Sequence, residues 1–136
     1  MGQGLPRDLL HQVLPGLVAE VEEICEAVRH TEMRMVGSSL LVIYEADWDV
    51  LRQNLQSCLR YAPSDEEDEK DEEEDADEHS DSSADTLGPP YIAKLIDFGH
   101  TRLREGDGPD TGVIMGLETT IRLFKNRLQE VTQTEP

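Results

Sequence analysis

The chain has 136 residues and a formal net charge of -18. Of that charge, -13 sits between Asp65 and Asp85, where 14 Asp and Glu face a single Lys, leaving about -5 for the rest. The low pI therefore describes one segment, and no Lys/Arg run supplies the basic footprint that nucleic-acid binding needs. The longest apolar run, Leu40 to Ile43, is far short of a membrane span. Met1-Gly2 begins a myristoylation-like start, but Pro6 stands where Ser or Thr is required. Two cysteines, Cys25 and Cys58, lack metal-ligand spacing and are expected to be free thiols, which suits the cytoplasm or nucleus.

Residues 1 to 14 are weakly patterned. Pro15-Gly16 then opens a periodic stretch in which Leu17, Val21, Ile24 and Val28 recur on one face, with Val18 and Cys25 beside them. Glu20, Glu22, Glu23 and Glu26 take the other face. The spacing predicts an amphipathic helix with Pro15 in its first turn, where a missing N–H costs little.

Ser38 to Glu45 is short, apolar, partly β-branched and preceded by Gly37, which predicts a buried strand. Residues 49 to 60 fit a short helix with Val50, Leu51, Leu55, Cys58 and Leu59 on its apolar side, ended by Tyr61-Ala62-Pro63. Residues 64 to 88 are acidic, Ser-rich and without aromatics. They offer too little apolar surface to offset ordering entropy and are expected to be disordered. Such a run serves either as a solvated linker or as a binding segment for a basic protein partner.

Tyr91 to Phe98 predicts a second apolar strand, followed by a Gly-rich turn from Glu105 to Gly112. In the last element Ile114, Leu117, Ile121, Phe124 and Leu128 are spaced 3, 4, 3 and 4 apart, and Val131 continues the stripe of a helix. The expected class is α+β: an antiparallel hairpin packed with helices, with a long disordered acidic insertion hanging from its connection. A two-stranded sheet is marginal alone, so 1–63 and 89–136 read as parts of one larger domain, interrupted by 64–88.

The sharpest local feature is Leu95-Ile96-Asp97-Phe98-Gly99. A carboxylate at a rigid strand end, followed by a bulky anchor and a flexible Gly, is what nucleotide-dependent kinases use to hold Mg2+ against phosphates. The plainer alternative is a strand-end Asp that shapes a turn. A protein kinase is disfavoured: no His-Arg-Asp catalytic loop precedes Asp97 and no Ala-Pro-Glu follows it.

Three motifs, in order, carry a family resemblance. Gly37-Ser38-Ser39-Leu40-Leu41-Val42-Ile43-Tyr44-Glu45 resembles the Ser-Ser-Leu-Leu strand of inositol polyphosphate kinases. Leu95-Ile96-Asp97-Phe98-Gly99-His100-Thr101 resembles that family's Ile-Asp-Phe-Ala/Gly-His/Lys-Thr strand end. Gly108-Pro109-Asp110-Thr111-Gly112, then Gly116-Leu117-Glu118, is similar to its final turn and helix. The resemblance spans roughly residues 15 to 131 without the acidic insertion. It is closest to the inositol polyphosphate multikinases, with the hexakisphosphate kinases sharing much of the pattern.

The resemblance implies the C-terminal portion of a kinase-like two-lobed fold that moves the γ-phosphate of ATP to inositol polyphosphates. From the residues themselves Phe98 is expected to pack below Asp97 and fix its direction; the resemblance implies Asp97 as the Mg2+ ligand and Ser39 near the metal and the ATP phosphates. A strand-start Ser bonding local backbone is the alternative for Ser39. His100 matches a variable position that could approach a phosphate, and a surface turn His is the alternative. Asp110, with Gly108 and Gly112, is expected to shape the turn and cap the last helix. The family's Pro-x-x-x-Asp-x-Lys-x-Gly signature, which engages the inositol phosphate, has no match here. The chain alone is therefore expected to be inactive. The rival expectation is a non-catalytic interaction protein that uses its acidic segment.

Overall fold

The computed structural model describes residues 4–60 and 88–133. The acidic segment expected to be disordered, apart from Gly88, lies outside the described residues. The element order is α1 (Arg7–Arg29), β1 (Met33–Met35), β2 (Ser39–Tyr44), α2 (Trp48–Arg60), β3 (Tyr91–Ile96), β4 (Thr101–Leu103) and α3 (Thr111–Gln133).

α1 is the centre of the molecule. Leu9, Val13, Leu17, Val21, Cys25 and Val28 form its buried stripe and meet Leu51 and Leu55 of α2, Ala93 of β3, and Ile114 and Leu117 of α3. The expected stripe from Leu17 to Val28 is present, but the expected start at Pro15 is not. The helix begins at Arg7 and carries Pro15 in its interior. Leu9, Val13 and Leu17 recur every four residues and are all buried, so one apolar face runs unbroken past the proline. Pro15 sits on the solvent side, and burial of that face outweighs the hydrogen bond a mid-helix proline removes.

α3 lies antiparallel against α1. Three cross-links in reversed order fix that direction: Arg29 with Glu118, Lys125 with Glu22, and the Arg7 guanidinium donating to the Glu130 carbonyl at 3.4 Å. The ion pairs are exposed, so each adds little to stability. The guanidinium of Arg29 is nonetheless held above its ordinary pKa, first by its hydrogen bond to Glu118.

α2 starts where Asp47 Oδ1 accepts the N–H groups of Asp49 and Val50, at 3.0 and 3.1 Å. That is an N-cap. Its buried side is Leu51 and Leu55, while Val50 is exposed.

β2 and β3 pair antiparallel from Ser39 opposite Ile96 to Tyr44 opposite Tyr91. This is the expected hairpin, with α2 and the acidic segment in its connection. Leu40, Val42, Tyr91, Ala93 and Leu95 face the helices. Glu20 reaches over from α1 to accept the Ala93 N–H, occupying a backbone donor on the outer edge of β3. Burial by α1 and the nearby Glu20 carboxylate raise the pKa of Tyr91, burial first. The strand expected to be buried is covered on one side only: Leu41 and Ile43 on the other face are 39% and 52% exposed.

A second antiparallel pair, β1 with β4, was not expected from sequence. Met33, Arg34 and Met35 lie opposite Leu103, Arg102 and Thr101. β1 precedes β2 directly and β4 follows β3, so the two pairs form one ribbon with a break. Residues 36–38 span the break on one strand and residues 97–100 on the other. The longer side carries one extra residue, as in a bulge. The backbone takes a left-handed turn on both strands there, at Gly37 (φ 72°) and at Asp97 (φ 66°).

Candidate functional site

The break in the ribbon is where the predicted site residues come together. Ser39 opposite Ile96 is the last pair of the β2–β3 ladder, so Asp97 leaves β3 beside Ser38 and Ser39. Ser39 shares a face with Leu41 and Ile43, the face left uncovered. Directly after Asp97, the Thr101 N–H bonds the Phe98 carbonyl at 3.0 Å, closing a tight turn through Gly99 and His100.

Asp97 is exposed, and its carboxylate has no hydrogen-bond or ion-pair partner among the described residues. It is also the one non-glycine residue with positive φ among them. Asp tolerates this region better than most residues, but it is still costly relative to glycine. Strain of this kind persists where the surroundings fix it, and it clusters at functional sites. Here the two flanking ladders fix it. Asp97 lies one residue past the last ladder pair of β3, so it stands outside the ladder.

Among the described residues no group of three or more His, Cys, Asp and Glu could hold a metal ion. The donor set at the break is one carboxylate, unpaired among the described residues, with the Ser38 and Ser39 hydroxyls on the neighbouring strand. That set fits a hard cation that keeps most of its coordination for phosphate and water, as Mg2+ does, and does not fit an all-protein cage. Phe98 corrects an expectation. It is 51% exposed and does not pack beneath Asp97; the left-handed backbone, rather than an aromatic anchor, sets the direction of the carboxylate.

Asp110 does what the turn sequence suggests. Its Oδ1 accepts the N–H groups of Gly112 and Val113 at 3.1 and 3.2 Å, capping α3. Its Oδ2 accepts the Met35 N–H at 2.9 Å, tying β1 to the start of α3. The Met35 N–H is the main cause that holds the Asp110 carboxyl below its ordinary pKa, with the cap bonds and Arg34 adding to it against partial burial. The turn between β4 and α3 is fastened to β1 as well: Arg34 donates to the carbonyls of Gly108 at 2.8 Å and Asp107 at 2.9 Å. Asp110 is therefore structural, at the base of the site.

His100 is exposed and lines a cavity of about 330 Å³ with Arg34, Val36, Arg102 and Arg104. The sequence shows no basic run, yet the fold gathers three arginines in one place. The signal was the alternation His100, Arg102, Arg104, which carries meaning only if the segment is a strand.

The geometry can be set beside known proteins. The profile described as "Inositol polyphosphate kinase" matches residues 3–125. The chain belongs to the inositol polyphosphate kinase family. Among family members, the inositol polyphosphate multikinase of Saccharomyces cerevisiae is 34% identical over 123 residues, covering 84% of this chain and 35% of the relative. The crystal structure of the inositol phosphate multikinase Ipk2 of S. cerevisiae, in complex with ADP and Mn2+, superposes with a TM-score of 0.61 at 25% identity. That match covers 93% of this chain and 42% of the Ipk2 chain. This chain thus spans about a third of the curated relative's length and holds part of the kinase fold.

Proposed function

We propose that this chain forms the metal and nucleotide-phosphate side of an inositol polyphosphate kinase site. In this reading Asp97 ligates Mg2+ or Mn2+, Ser39 lies close to the metal and the ATP phosphates, and His100 lies near phosphate on the acceptor side. A divalent ion supplies charge neutralisation of the transferring phosphoryl group. Asp97 holds its carboxylate outside the ladder, the Ser39 hydroxyl stands at the neighbouring strand start, and the ribbon keeps both in place.

The observation that carries the reading is the unpaired, left-handed Asp97 beside Ser39 at the end of one ladder. The Ipk2 complex with ADP and Mn2+ supports it, as a fold neighbour that takes both. The Pro-x-x-x-Asp-x-Lys-x-Gly signature is absent from the sequence. Phosphoryl transfer needs both substrates positioned around the metal, so this chain alone is proposed to bind without turnover. The two cysteines, Cys25 and Cys58, lack metal-ligand spacing, and the cytoplasm or nucleus is the proposed compartment. No helix among the described residues is long and apolar enough to cross a membrane.

The test is paramagnetic broadening by Mn2+ with ADP, followed by NMR on the 136-residue chain. Broadening is expected to centre on residues 38–39 and 96–99 and to vanish in Asp97→Asn. Broadening that ignores Asp97→Asn would remove Asp97 as the ligand. The same sample incubated with ATP and inositol polyphosphates should give no phosphorylated product.

A further inference from the structure

The segment through β4 carries Arg102 and Arg104, and among the described residues no carboxylate pairs with either. Arg102 lies within β4, with His100 in the turn before it and Arg104 directly after it. The β1–β4 register sets Arg34 directly opposite Arg102, and these four line one cavity with Val36. Like charges directly opposite on a ladder are destabilising. The usual remedy is a cross-strand carboxylate, and none is present. Arg34 spends its donors on the neutral carbonyls of Met33, Asp107 and Gly108. The side chains of Arg102 and Arg104 have no hydrogen-bond or ion-pair partner among the described residues. Of the nearby acids among the described residues, Glu32 accepts the Gly106 N–H, Glu105 lines a different hollow with Leu103 and Arg29, and Asp110, which interacts with Arg34, accepts the Met35 N–H and caps α3.

The whole chain carries -18, so its long-range field repels anions. An anion held at this face would have to be held by local contacts. The guanidinium groups of Arg34, Arg102 and Arg104 are spread around the lining of a cavity of about 330 Å³. That spread suits a ligand with several anionic groups better than a single phosphate. The face also begins at the turn that follows Asp97.

We propose that Arg102 and Arg104 form an acceptor-phosphate site, engaging phosphates of a polyphosphorylated cyclitol beyond the group nearest Asp97. Resting on the kinase reading above, this adds two specificity-determining residues on β4 that select for highly phosphorylated acceptors. Arg fits the role because its planar fork binds phosphate oxygens in pairs.

The test is calorimetric titration of the full 136-residue chain with myo-inositol hexakisphosphate, with inorganic phosphate and unphosphorylated inositol as comparators. Binding is expected for the hexakisphosphate alone. Arg102→Gln and Arg104→Gln should each weaken it about tenfold or more. Arg122→Gln, at an exposed arginine of α3 away from the cavity, should leave it unchanged. Unaltered affinity in the two β4 variants would overturn the assignment, as would an equal loss in Arg122→Gln, which would mean diffuse attraction. Mn2+ broadening measured on the same variants separates this inference from the reading beneath it. Arg102→Gln and Arg104→Gln should keep the broadening at Asp97. Loss of β4-dependent binding with Asp97 broadening intact sinks only the arginine site. Arginine-dependent binding in a chain whose Asp97 never takes Mn2+ leaves a polyanion site and overturns its assignment to the acceptor.

Discussion

The two halves of this molecule are built on different terms. Between α1 and α3 the apolar stripes bury one another, and Arg29 with Glu118 and Lys125 with Glu22 pair across the helices. The ribbon is less covered: Leu41 and Ile43 are exposed, Asp97 has no partner among the described residues, and Arg102 and Arg104 share a cavity with another arginine. The helical half spends its residues on burial. The ribbon spends several on groups that lower stability while nothing is bound. Where a fold leaves such groups unanswered together, they mark what it is for.

The comparison breaks most visibly through the core. Leu9 is 0% exposed and lies in the part of α1 that precedes Pro15. Leu9→Ala should lower unfolding free energy by about 2–5 kcal/mol, read by denaturant melts. A cost under about 1 kcal/mol would mean that the first two turns of α1 are not part of the core. A serine in place of exposed Leu41, on the ribbon's open face, should change stability far less.

Asp110 stands between the halves, since it caps α3 and holds β1. Asp110→Ala removes a cap and a cross-element bond and should cost about 1–2 kcal/mol. The sign of its pH dependence follows from its depressed folded-state pKa. The unfolded chain takes up a proton on this carboxyl at higher pH than the folded chain does. The stabilisation is therefore complete above the unfolded-state pKa and is lost as pH falls through the folded-state value. Melts from pH 6 downward should show a shallower acid loss in Asp110→Asn than in the native chain. Equal slopes would mean that the bond from Met35 does not favour the ionised form.

These contrasts also explain what could be read from residues alone. α3 was legible because Ile114, Leu117, Ile121, Phe124 and Leu128 repeat through about four turns, long enough for a period to declare itself. The β2–β3 pairing was legible because two apolar runs flank one insertion. β1 and β4 were not, because three residues each carry no period. The start of α1 was hidden by Pro15, whose first-turn preference outvoted a spacing of four that was there to be counted. At the site, Asp97 and Ser39 were found by motif, and their meeting follows from register. The arginine cavity was invisible because it needs β4 to be a strand. The packing of Phe98 was misjudged because it was read from a bulky residue next to Asp97, and the left-handed turn there, which no residue pattern announces, leaves that residue exposed.

That turn gives the smallest effect and the most direct reading of the contrast. Alanine is ordinarily better tolerated than glycine, because glycine loses more freedom on folding, by about 0.4–1 kcal/mol. At a left-handed position the order reverses, since a Cβ there costs about 1–2 kcal/mol. If the two ladders hold Asp97 at φ 66°, Asp97→Gly should be at least as stable as Asp97→Ala, by up to about 1 kcal/mol once the two terms are set against each other. Both variants should lose Mn2+ broadening equally, because both lack the carboxylate. Stability and binding then move independently at one residue. Were Asp97→Ala the more stable variant, the left-handed turn would not be imposed by the ribbon. The carboxylate would then owe its place to local preference, and the ribbon could not be credited with aiming it at a metal.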